Sequence, residues 1–99
     1  MNINVYKGTS ANGSPSISRD IAAYRLSDTH ITAMLTGGLL TKDITSQDIV
    51  TVVITDNQNG ETISKVCKYI SYNYQVVDTA NSPNGTAVAD NTLLFEILY

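Results

Sequence analysis

Two β-branched runs on either side of Asn59-Gly60 constrain this chain more than anything else in it. IVTVVITDNQ begins at Ile49, and ETISKVCKYISYNYQVV runs on to Val77. Val, Ile, Thr and Tyr suit a pleated, half-buried surface. Asn-Gly is the strongest short-range hairpin signal, because a type I′ turn needs φ > 0 at both central residues. With Asn59 and Gly60 as the loop, Gln58 faces Glu61, Val53 faces Val66, Val52 faces Cys67, and Val50 faces Tyr69. A slip of one residue would set Val50 against Lys68 and Val53 against Lys65, so apolar pairing favours the first register. A three-residue loop with a bulge at Gly60 is the other geometry the string allows.

The second arm outruns its partner. Ile70, Tyr72, Tyr74 and Val76 share one face by the period of two, as do Leu93, Phe95, Ile97 and Tyr99 in the run TLLFEILY. Folding back around Asn84-Gly85 pairs Val76 with Leu93, Tyr74 with Phe95, Tyr72 with Ile97 and Ile70 with Tyr99. That is a three-strand antiparallel meander, its second connection widened by Pro83, which has no N–H for a ladder.

Upstream, residues 1–7 alternate Ile3 and Val5 with polar neighbours and read as a short strand at a sheet edge. Residues 8–16 form a loop of turn residues, and the string GTSANGSP within it resembles the GTSAKGNP-type loop of a filamentous-phage single-strand DNA-binding protein family. The resemblance covers that loop alone, and the basic residues such a protein needs are missing, so no function is carried across from it. Residues 18–36 are the helical stretch. Ser18 caps, Asp20 suits a first turn, and Ile17, Ile21, Tyr24, Ile31 and Leu35 fall on one stripe, with a break at Ser27-Asp28 and an αL stop at Gly37-Gly38. The competing reading is a strand over 29–36, where Ile31, Ala33 and Leu35 alternate with His30, Thr32 and Met34. Leu39, Leu40 and Ile44 anchor the connector that follows.

The expected fold is one α+β domain over residues 1–99. An antiparallel sheet of about four strands (2–7, 48–58, 61–77 and 91–99) carries the helical segment 18–36 on one face, with an all-β sandwich as the alternative.

Chemistry is thinly represented. His30 is the only histidine and Cys67 the only cysteine, so one chain can assemble neither a two-His metal site nor a disulfide. Ser27, Asp28 and His30 lie too close together to form an assembled triad, and no phosphate-binding glycine motif occurs. The string around Asp56, Gln58, Gly60 and Glu61 has the wrong register for a calcium loop. No catalytic, cofactor-binding or metal-ligating residue is therefore nominated, and no enzymatic activity is expected. Lys65, Lys68, Tyr69, Tyr72 and Tyr74 interleave cations with aromatics as a base-stacking surface would. Against nucleic acid stand the net charge of -3 and the core positions that the tyrosines take in the meander.

The last strand points to a partner instead. Leu94 and Leu98 are apolar on the face opposite Leu93, Phe95 and Ile97, and such a strand at a free edge invites pairing. The candidate interface is Leu94, Glu96, Leu98 and Tyr99. With 15% charged residues, 42% hydrophobic residues and abundant Thr, Ser and Asn, the expectation is a structural or assembly protein. It would be a small virion subunit (capsid, decoration or tail-associated) that self-associates or docks on a larger assembly. The alternative is a small acidic binding module or inhibitor, such as a phage-encoded anti-defence protein. Without a basic-then-apolar leader or a span of about 20 apolar residues, the chain is expected to be soluble, made in a cytoplasm, and free of any membrane.

Overall fold

The computed structural model describes residues 1–36, 44–72 and 92–98, with residues 71 and 72 described by their backbone alone. Six strands are present: β1 Asn2–Lys7, β2 Ile17–Leu26, β3 His30–Leu35, β4 Ile49–Thr55, β5 Thr62–Tyr72 and β6 Thr92–Ile97. They close into an antiparallel barrel in the order β1-β2-β3-β6-β5-β4, with β4 pairing back onto β1. The architecture is two three-strand meanders, β1-β2-β3 and β4-β5-β6, sewn together along β3–β6 and β1–β4. The α+β expectation is overturned: the described residues contain no helix, and none therefore that is long and apolar enough to cross a membrane. The all-β alternative is nearer, although the sheet closes on itself and is no two-sheet sandwich.

The segment 18–36 is a hairpin, and the cause of the helical appearance is a bulge. Ile17 and Ile21 point inward, four residues apart, with Arg19 between them in the same register as Ile3. The pairing with β3 then shifts between Ile21 and Ala23, so Tyr24, only three residues on, returns to the inner face opposite Ala33. Spacings of four and three imitate a helical stripe, and here they arise from period two plus one inserted residue. In β3 the alternation is undisturbed: Ile31, Ala33 and Leu35 are buried while Met34 is exposed. Between the strands Ser27 turns the chain, its N–H donating to the His30 carbonyl (2.9 Å) and its Oγ accepting the His30 N–H (2.9 Å). A side chain that bonds its own turn in this way competes with helix.

The β4–β5 hairpin keeps the expected faces and changes register by two. Val50 lies opposite Cys67, Val52 opposite Lys65 and Val53 opposite Ser64. The loop holds residues 57–60. The Asp56 N–H donates to the Glu61 carbonyl, and the Gly60 N–H donates to the Asp56 carbonyl, both at 2.8 Å. Of the loop residues 57–60 only Gly60 has positive φ (75°), so the type I′ geometry is replaced. Asp56 Oδ1 accepts the Gln58 N–H (2.9 Å) and Asn59 Oδ1 accepts the Glu61 N–H (2.8 Å), two local side-chain turns that set the wider loop.

β6 does pair with β5, but Tyr69 rather than Tyr74 meets Phe95, Tyr72 rather than Val76 lies opposite Leu93, and Cys67 rather than Tyr72 lies opposite Ile97. Tyr74, Val76, the Asn84-Gly85 turn, Gly37-Gly38, Leu39, Leu40 and Tyr99 lie outside the described residues. β1 is no edge, being bonded to β2 and β4. The core draws on all six strands and on Ile44, with Phe95, Ile3, Ile17, Ile31 and Leu93 its largest fully buried members. Phe95 and Tyr69 meet at 5.4 Å between ring centroids, tilted by 49°.

Candidate functional site

The expected interface residues of β6 fall into three environments. Leu94 faces outward, opposite Thr32, yet is 5% exposed in the single chain. Glu96 stands in a cross-strand row between His30 on β3 and Lys68 on β5, and forms an ion pair with the Lys68 Nζ at 3.5 Å. Both partners are partly exposed, so the pair contributes a fraction of 1 kcal/mol, within the ~0–1 kcal/mol typical of surface pairs. Leu98 is half-buried and donates its N–H to the Val66 carbonyl (2.9 Å). These residues belong to the barrel wall before they belong to any partner.

Chemistry-bearing side chains are dispersed. The Nδ1 of His30 lies 2.8 Å from the Thr29 hydroxyl on the outer surface. Cys67 points into the core, fully buried, and its thiol is pushed up from 9.0 to about 11 because burial disfavours the thiolate, with the Lys65 charge opposing this. Among the described residues no three His, Cys, Asp or Glu side chains gather where they could hold a metal ion. Of the cation–aromatic run, Tyr69 is in the core and Lys68 is paired with Glu96, so β5 presents no stacking platform from these two.

The thiol supplies a test of burial. Its proton is held more tightly in the folded chain than in the unfolded one, so unfolded chains release it first as pH rises past 9. The stabilisation is complete below pH 9 and is lost as pH climbs through about 11. A Cys67→Val variant should lose less stability than the wild type between those values, measured by urea denaturation at stepped pH. Parallel decline in both chains would refute the buried-thiol assignment.

Sequence reasoning missed the surface that the bulge creates. The bulge in β2 leaves Ala22 and Ala23 both exposed, and Ala23 pairs with Met34, which is 38% exposed on β3. Exposed apolar side chains are ordinary singly and informative when contiguous. Asp20 and Arg25, both exposed, border this patch along β2, one on either side of the bulge. Bulges are common beside functional surfaces, where they re-aim side chains. The available sequence signal was the Ala22-Ala23 pair inside a run otherwise patterned for a strand. No protein-family model matches the chain, and comparison with curated proteins and with solved structures finds no significant match.

Proposed function

We propose that this chain is a non-enzymatic structural subunit that associates with copies of itself, or docks on a larger protein assembly, through the bulged face of β2 and β3. A virus particle is the assembly that the Thr-, Ser- and Asn-rich composition favours. The observation that carries the reading is the patch of Ala22, Ala23 and Met34, apolar and small-residued, with Asp20 and Arg25 at opposite borders. An apolar centre with a polar rim is the anatomy of a protein interface. Opposite charges on its two sides suit a two-fold contact, in which Asp20 of one copy meets Arg25 of the other.

Two variants test this. Met34→Asp puts a charge at the patch centre, on a side chain that already faces solvent, and should leave thermal stability within about 1 kcal/mol of the wild type. Mass by multi-angle light scattering should fall from an oligomer or particle to 10.7 kDa for this variant. Asp20→Arg should weaken association, and adding Arg25→Asp should restore part of it. A wild type that stays monomeric at high concentration, or an oligomer indifferent to Met34→Asp, overturns the reading.

A further inference from the structure

Among the described residues, β5 runs on past the end of its pairing with β6 at one end of the barrel. β6 pairs with β5 from Cys67 to Tyr72, so among the described residues the stretch 62–66 is laddered to β4, apart from the Leu98 N–H on the Val66 carbonyl. Lys65, in register with buried Val52, is exposed. At this end of β5 lies a cavity of about 270 Å³ lined by Met1, Tyr24, Ile54, Ile63, Thr62 and the two carboxylates Asp56 and Glu61. Tyr24 reaches it because the β2 bulge returns that ring to the inner face. The same irregularity thus shapes the outer patch and this mouth.

The lining has two characters. Tyr24, Ile54, Ile63 and Met1 form an apolar wall continuous with the core, against which Tyr24 and Ile63 pack. Asp56 and Glu61 stand at the hairpin end, and neither forms an ion pair among the described residues. One Asp56 oxygen accepts the Gln58 N–H, while the Glu61 carboxylate takes part in no described hydrogen bond. Lys65 lies on the same strand face but outside the lining. Small-molecule pockets run from about 300 to 1,000 Å³, so this one is sized for a single side chain rather than a whole metabolite.

We propose that the mouth receives a segment of a partner protein in which a bulky aliphatic residue adjoins Lys or Arg. The aliphatic side chain fills the space between Tyr24 and Ile63, and the adjoining cation meets Asp56 and Glu61. An apolar wall alone would accept any greasy side chain, and two carboxylates at the lip reject acidic neighbours by like-charge juxtaposition. This goes beyond the self-association reading and does not depend on it, since the mouth and the outer face of Met34 are separate surfaces.

The test uses the full chain, labelled with nitrogen-15, titrated with acetyl-Leu-Lys-amide and separately with acetyl-Leu-Glu-amide at millimolar concentration. The Lys peptide should shift the amides of Tyr24, Ile54, Glu61 and Ile63, about tenfold more tightly than the Glu peptide. Glu61→Lys, at an exposed position, should keep the wild-type melting temperature and lose the response to the Lys peptide. Equal binding of the two peptides, shifts elsewhere on the barrel, no shifts at all, or an unchanged Glu61→Lys titration each overturns the proposal. Met34→Asp should leave the titration as it is, whatever it does to association.

Discussion

A chain ending at residue 91 should fail to fold. β6 is the strand that closes the barrel, bonded to β3 on one side and β5 on the other, so its removal frees two edges at once. Leu93, Leu94, Phe95 and Ile97 leave with it, all buried. At about 1.5–3 kcal/mol for each fully buried large side chain, the loss is roughly 6–12 kcal/mol, as large as the ~5–15 kcal/mol that holds a typical domain together. Ile31, Ala33, Cys67 and Tyr69 would then face water along open edges, which template aggregation. The expected result is insoluble protein, or a soluble fraction with a collapsed amide spectrum and no cooperative melt. A truncated chain with dispersed resonances and a sharp transition would mean that β6 is an accessory strand and the barrel description is mistaken.

What could be read in the sequence was parity. Val50, Val52 and Ile54 on β4, and Phe95 between Leu93 and Ile97 on β6, lie inward as alternation dictates. Absolute register was a different matter. A shift of two residues moves no side chain to the other face, so hydrophobic patterning cannot distinguish Val53 opposite Val66 from Val53 opposite Ser64. The decision rests on Asp56, whose carboxylate turns the backbone one residue before the Asn-Gly pair could close a tighter loop. In β2 even parity was concealed, because an inserted residue converts period two into spacings of four and three. Local pattern could not reveal the two seams that close the barrel. β1 with β4 and β3 with β6 are antiparallel ladders between segments far apart in sequence, and such pairing leaves no local mark.

The surfaces were less legible than the core for the same reason. Leu94 drew attention as an outward apolar residue on a strand apolar on both faces, a property that a strand central in a barrel has without any partner. Met34 and Ala23, assigned to a helix, could not be seen as cross-strand neighbours. Tyr24 counted as one member of a helical stripe, although its use is to wall the barrel mouth. The exposure of Ala23 and the inward turn of Tyr24 both depend on the bulge between Ile21 and Ala23.

Phe95→Ala should be the most damaging point substitution, and its neighbour calibrates it. Phe95 is fully buried, lies between Ile31 and Tyr69 in the ladders, and packs its ring against Tyr69. Truncation removes the transfer energy of the ring and leaves a void that a closed barrel, tied on both sides of β6, can relax only partly. Such changes cost about 3–5 kcal/mol. Glu96, one residue on, points outward into a partly exposed ion pair, and its replacement by Ala should cost under about 1 kcal/mol. Phe95→Leu, which keeps most of the volume, should fall between them. Urea denaturation reads all three as midpoint shifts at constant slope. The ordering depends on β6 having one core face and one outer face with both edges bonded. Comparable losses at positions 95 and 96 would refute that alternation, and a Phe95→Ala cost near that of Glu96→Ala would place the ring outside the core.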